Sequence, residues 1–406
     1  MADRYVIRKF LGSSGERLAI LVDETGMPHF YATLYVTTQV RNRSFSVDTG
    51  VQNLKAIRRL LDWANDRKVD LESLLKNKQL LQNSQLDDIR DYSQRKRSVK
   101  NTGNVLNFRN KVEVVSKQTH YITLTCIADY LEFIANVIAN RHNDDKDLDA
   151  DIQRMVKGLK RRRPRNISKD LRKAKDRAVD PDTLETIRNI TQVGHSENPW
   201  GESVQLRNSL IIELLIALGI RRGELCAIQT IDFDLRQNLV RIIRRHDDPI
   251  DPRKNQPKAK TAERTLVINE HLAQLIENYI NLDRSKYKAA KKHGYLFVAH
   301  VGSSKGKPLS VESINKMFDK LKEATGDHDL SPHSLRHQWN YEFSNIVDNS
   351  KDPISAERED ALRNYQMGWS PTSNMASIYN KRKIVEQSHK ITRQLQDKLY
   401  EGNNDE

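Results

Sequence analysis

Between residues 157 and 177 the chain carries its densest run of basic side chains, with Pro164 inside it and little apolar material to bury. Such a run cannot sit in a core, so it divides the 406 residues into separate folding units. We read it as a positively charged linker over 161–180. The regions on either side have apolar periodicity of their own. A formal net charge of +14 favours a polyanionic partner. Nucleic acid comes first; an acidic membrane surface or a merely solvated exterior are the alternatives. Lys157, Lys160, Arg161, Arg162, Arg163, Arg165 and Lys173 are the candidate phosphate contacts, against the bland reading of a solvated charge run.

The pattern elsewhere predicts a mainly α protein with small β-sheets. Residues 5–10, 17–22 and 30–36 alternate like strands, separated by Ser13-Ser14-Gly15 and Glu24-Thr25-Gly26. They make 1–40 a β-rich segment. From Val47 the apolar period lengthens to that of helices, and 121–138 has one continuous apolar side, which gives a helical domain over 41–160. Beyond Pro181 a second, larger helical domain runs over 181–406, with a strongly apolar helix at 206–218. Strand-like segments at 239–243 and 265–268 flank a long polar excursion. Cys126 and Cys226 lie in apolar helical patterns without a second ligand at metal spacing, so both are expected in cores. No run of about 18 apolar residues and no secretory leader is visible, which predicts a soluble, cytoplasmic protein.

Three short motifs stand out in the second domain. In Gly219-Ile220-Arg221-Arg222-Gly223-Glu224, Arg221 and Glu224 are three apart, which on a helical turn places a guanidinium beside a carboxylate. A capped helix start is the bland alternative. In Ser331-Pro332-His333-Ser334-Leu335-Arg336-His337, Ser331 is a natural cap and Pro332 a natural first residue, so His333 and Arg336 share the first turn, where an anion is favoured. His333 and His337 also have the spacing of a zinc-binding helix, but residue 334 is Ser where a general-base Glu would stand. The third motif is Gly368-Trp369, followed ten residues later by Tyr379.

The order Gly-x-Arg-x-x-Glu, His-x-x-Arg, Gly-Trp and Tyr resembles the catalytic signature of the tyrosine recombinase (phage integrase) family over about residues 180–385, and the helical 41–160 segment is similar to that family's core-binding domain. The resemblance implies that Arg221 and Arg336 clamp the scissile phosphate and that Glu224 supports Arg221. It further implies proton transfer by His333, a phosphate hydrogen bond from Trp369, and attack by Tyr379. A family lysine on a β-hairpin, general acid for the leaving 5′ oxygen, matches Lys260 best; Lys258 stays open because the excursion before it is long. The step from Trp369 to Tyr379 is one residue longer than the family pattern.

These residue types suit phosphodiester transfer. Paired guanidinium donors meet charge on the nonbridging oxygens at any working pH, and a tyrosine with an ordinary pKa near 10 needs a base. The resemblance implies no metal or other cofactor. Its partners are double-stranded recombination sites held in a C-shaped clamp, a homotetramer on paired sites exchanging a C-terminal helix over 382–399, and an accessory directionality factor. Intramolecular packing of that helix is the alternative. A type IB topoisomerase-like enzyme and an inactive DNA-binding regulator are the rival functions. The 1–40 segment would be an arm domain, or would simply pack on the helical domain.

Overall fold

The computed structural model describes residues 4–42, 46–96, 113–140, 145–165, 178–257, 261–370, 372–373, 376 and 388–398. The chain divides into two compact units, Met1–Ser168 and Lys169–Glu406.

In the first unit, strands β1 (Tyr5–Leu11) and β2 (Arg17–Asp23) form an antiparallel hairpin in register Tyr5 to Asp23. The third predicted strand is instead a helix, α1 (Phe30–Tyr35), capped by the His29 side chain. Alternation misled here because the apolar residues that reach the core are Ala32, Tyr35 and Val36, a helical three-and-four spacing. Helices α2 (Val47–Asp66), α3 (Leu71–Lys76), α4 (Asn83–Gln94), α5 (Lys117–Ile138) and α6 (Lys146–Arg161) follow. Ser46, Asp70, Ser116 and Asp145 each cap one of them by accepting backbone N–H bonds that the first turn leaves unmade.

Leu54, Ile57, Leu60 and Trp63 of α2 meet Leu124, Ile127, Leu131 and Ile134 of α5 and Ile152 and Leu159 of α6 in one core. Ala19 and Leu21 of β2 belong to that same core, so the hairpin packs on the helices of this unit. The 22-residue α5 is, among the described residues, the helix long and apolar enough by length and composition to cross a membrane, where the sequence predicts no such span. Its apolar face lies inside this core.

The second unit contains α7 (Pro181–Ile190), α8 (Glu202–Leu218), α9 (Arg222–Ala227), α10 (Glu270–Asn278), α11 (Val311–Thr325), α12 (Pro332–Asp348) and α13 (Ala356–Met367). Its sheet has the order β3 (Phe233–Asp234), β4 (Leu239–Ile242), β5 (Arg264–Val267), antiparallel throughout. The expected hairpin is therefore present, with a two-residue strand added at its edge. Leu210, Ile211, Leu214, Leu215 and Leu218 of α8 form the centre of the core, against which Leu266, Ile276, Phe297, Phe318 and Leu335 pack. Cys226 is buried in this unit and Cys126 is part of the packing of the first.

Because Leu21 is fully buried beside the helices, Leu21→Ala should cost the first unit about 2–5 kcal/mol. Hydrogen exchange on the full chain checks this through the α2 amides, which should lose protection together with those of the hairpin. Loss confined to the hairpin would mean that 1–40 folds as an arm of its own.

Candidate active site

Four helix ends bring the motifs of the second unit together. Helix α8 stops at Gly219, whose φ of 59° is left-handed and which donates its N–H to Leu215. A Cβ there would stand 2.7 Å from Cγ of Trp339 and 3.0 Å from Cε of Met367, so glycine is needed for close approach as well as for φ. Arg221 is the N-cap of α9 rather than a residue within a helical turn. The Glu224 carboxylate reaches back to accept the Arg221 backbone N–H at 2.8 Å, and Nη1 of Arg221 lies 3.9 Å from Oε1. The capped helix start and the guanidinium–carboxylate pair thus coexist.

Helix α12 opens as its sequence predicts. Ser331 accepts from the Ser334 N–H, Ser334 Oγ accepts from the Ser331 N–H, and Pro332 takes the first position. His333 is exposed on this first turn, its ring edge-on to His337 at 4.4 Å. Arg336 points inward and is buried. It donates to the carbonyl of Gly219 at 2.7 Å and to that of Met367 at 2.9 Å, the C-terminal ends of α8 and α13, where helix geometry leaves carbonyls unpaired and partial negative charge gathers. Its guanidinium lies 5.5 Å from the centre of the Trp369 ring, a cation–π distance, and 4.0 Å from Glu224 Oε2. Trp369 follows Gly368, the left-handed cap of α13, and packs with Met367, Trp339 and Ala376.

The guanidinium nearest to Glu224 belongs to a residue for which the sequence suggests no role. Arg264 of β5 grips the carboxylate with both nitrogens at 3.2 Å, and its Nε donates to the Gln366 carbonyl at 2.7 Å. The Thr261 hydroxyl donates to the same carboxylate. Burial alone would push the Glu224 carboxyl up; the Arg264 guanidinium, the Thr261 hydroxyl and the Arg221 amide outweigh it and hold the carboxyl below its ordinary range. The alternation of β5, in which residues 264 and 266 are buried and 267 is exposed, was the available signal that Arg264 faces inward.

The structure thus brings Arg221, Glu224, Arg336 and Trp369 to one place and puts His333 on the turn above Arg336. Lys260, Lys258 and Tyr379 lie outside the described residues. Among the described residues no group of His, Cys, Asp and Glu side chains has the arrangement to hold a metal ion.

The basic run is only partly available as a phosphate surface. Lys160 pairs with Asp129 at 2.8 Å, and Arg162 with Asp87 at 2.8 Å. Arg163 donates to the Lys160 carbonyl and lies 4.6 Å from the Tyr121 ring centre. Lys157, Arg161 and Arg165 are exposed, and Lys173 is outside the described residues. The cause is that α6 runs on to Arg161, so the first basic residues close the helix end onto α4 and α5 instead of entering a linker. A groove of about 400 Å³ in the first unit has a different character: Lys55, Arg58, Arg59 and Arg95 line it with Gln52 and Thr119, and among the described residues no acidic side chain does.

Glu224→Gln would leave Arg264 buried opposite a neutral partner, at a cost of about 3–5 kcal/mol at pH 7. A carboxyl whose folded pKa is lowered stabilises fully above its unfolded pKa of about 4.3 and loses that contribution as pH falls through the folded value. The gap in denaturation midpoint between wild type and Glu224→Gln should therefore narrow as pH is lowered from 7 toward 3. A gap that stays constant would show that Glu224 is not ionised in the folded protein.

Residues 177–348 match the model of the phage integrase family. The tyrosine recombinase XerD of Halalkalibacterium halodurans is 27% identical over 184 residues, covering 45% of this chain and 53% of the relative. The tyrosine recombinase XerC of Staphylococcus epidermidis is 31% identical over 135 residues, covering 33% of this chain and 39% of the relative. The chain thus spans about half or less of the length of these curated relatives. Among solved structures, the XerH site-specific recombinase bound to difH substrate aligns with a TM-score of 0.50 and 14% identity, over 90% of this chain and 86% of that one, a likeness of fold. The matched segment contains Arg221, Glu224, Arg264, His333 and Arg336 and ends before Trp369, so the likeness to the phage integrase family covers most of this cluster over less than half of the chain.

Proposed function

We propose that the protein is a tyrosine-type site-specific DNA recombinase that cuts and rejoins duplex DNA through a 3′-phosphotyrosine at Tyr379, in the integration and excision of a mobile element. The observation that carries the reading is the meeting of Arg221, Glu224, Arg336 and Trp369 at the ends of α8, α9, α12 and α13. Three guanidiniums surround one carboxylate there, so the locus holds positive charge suited to a phosphodiester.

In this reading the Tyr379 oxygen forms a bond to phosphorus as the bond to the 5′ oxygen breaks. The tyrosine proton passes to His333, and the 5′ oxygen takes a proton from Lys260. Arg221, Arg336 and Trp369 meet the charge that grows on the nonbridging oxygens. The phosphotyrosine keeps the energy of the broken linkage, so religation needs no ATP. Lys260 is favoured over Lys258 because it is the chain neighbour of Thr261, which is bonded to Glu224. We place the reaction in the cytoplasm, on two DNA sites held by a tetramer, with an accessory factor setting direction. The helix at 388–398 leaves Ile391 and Leu395 exposed, which favours its exchange between protomers.

The groove of the first unit is the better candidate for phosphate contact than the ion-paired part of the basic run. Replacing Lys55 and Arg95 by Ala should lower the slope of log affinity against log salt by about two. The pair Lys160→Ala and Arg162→Ala should leave the slope nearly unchanged. The reverse pattern would return the contact to the run.

The function itself is tested with a nicked suicide duplex taken from the ends of the element that encodes the protein, without metal or ATP. A covalent adduct should form with wild type and be absent with Tyr379→Phe. Tight binding of that duplex with no adduct would favour an inactive regulator.

A further inference from the structure

Arg336 belongs to a small closed ring of bonds. Its guanidinium donates to the Met367 carbonyl, the Met367 sulfur accepts from Nδ2 of Asn340 at 3.2 Å, and that same amide donates to the Arg336 carbonyl at 2.8 Å. Asn340 lies one turn beyond Arg336 on α12 and is completely buried. Its Oδ1 has no hydrogen-bond partner among the described residues. A second completely buried side chain backs the ring. Arg363 of α13 donates to the Asn340 carbonyl at 3.0 Å and to Ser344 Oγ at 2.9 Å, pairs with Glu359 one turn before it, and lies 4.7 Å from the Phe343 ring centre.

Neither residue is what packing alone would select. A buried amide with an orphan oxygen costs free energy, and a leucine of the same branched outline would not carry that cost. A buried ion pair is likewise no better a source of stability than well-packed apolar side chains. What these groups add is direction. Met367 ends α13, so its carbonyl has no partner within the helix, and where it points depends on how that end is fastened to α12. Asn340 fastens the Met367 side chain, and Arg363 fastens the turn before it.

We infer that Asn340 and Arg363 are positioning residues for Arg336: by fastening the end of α13 to α12 they fix the carbonyl that aims its guanidinium. The inference rests on the recombinase reading above, with Arg336 on the scissile phosphate. Both residues act through Arg336, so their loss should slow the reaction of folded protein rather than reduce how much protein is folded.

Adduct formation would be timed on the nicked suicide duplex with protein in excess, using wild type, Asn340→Leu, the paired variant Arg363→Met with Glu359→Met, and Arg336→Ala. The unfolding midpoint and gel-shift affinity would be measured on the same preparations. A merely structural role lowers the midpoint and the final amount of adduct together and leaves the rate constant of the folded fraction unchanged. Positioning predicts the opposite for Asn340→Leu: midpoint, affinity and final adduct near wild type, with a rate constant lower by about 10- to 100-fold, the scale of a group displaced by an ångström. The paired variant replaces the ion pair by apolar side chains and should show the same pattern, which preserves the test if leucine does not fit at 340.

Wild-type rate constants in both variants would overturn the inference, as would a collapsed midpoint in both. So would a loss larger than that of Arg336→Ala, since nothing that acts through Arg336 can matter more than its removal. Should Arg336→Ala itself react at the wild-type rate, the inference falls and the recombinase reading stands on Tyr379. If wild type forms no adduct, the recombinase reading fails and takes the inference with it.

Discussion

A carboxylate with almost no exposure, Glu224, has three guanidinium groups within 4.0 Å, and the second unit's active locus is arranged around that cluster. Arg264 and Arg336 are themselves buried, and two buried cations near one another are tolerable only with an anion between them and carbonyls around them. Glu224 supplies the anion. Gly219, Met367 and Gln366 supply the carbonyls, from the ends of α8 and α13. Helix termini that would otherwise leave carbonyls unpaired are used to solvate arginine side chains, so chain ends and charge solve one another's problem.

That arrangement explains the two glycines beside the motifs. Gly219 and Gly368 both adopt left-handed φ, and at each a Cβ would strike a side chain of the cluster or its supports. The backbone must come close enough for its carbonyls to reach Arg336 and for the Trp369 turn to reach β5. The geometry of the cluster is thus set by packed helix ends rather than by a loop.

Positive charge in the first unit is arranged on a different principle. Its basic residues divide into those that close helix ends, such as Arg162 on Asp87, and those that line a groove without carboxylates, such as Lys55 and Arg95. Net charge alone does not separate the two groups. The position of acidic neighbours does: Arg162 pairs with Asp87, whereas the described lining of the groove carries no carboxylate.

Much of the fold was legible in the sequence because it depends on local rules. Ser331 and Pro332 start α12, the apolar stripe at 206–218 makes the core helix, and the basic run divides the chain. The four motifs were legible as residue types in order. Residues 30–36 were misread because a short apolar stretch fits either period, and the choice fell to contacts with α2 and α5. Alternation along β5 could turn Arg264 inward, but its partners were invisible for a related reason: it is 40 residues from Glu224 and 102 from Gln366, and nothing local links them. The sequence by itself determined which chemical groups this protein has and which helices carry them, since caps, periodicity and composition act over a few residues. Only the tertiary structure decided which arginines gather around Glu224 and which close helix ends in the first unit, because that depends on carboxylates and carbonyls brought in from far along the chain.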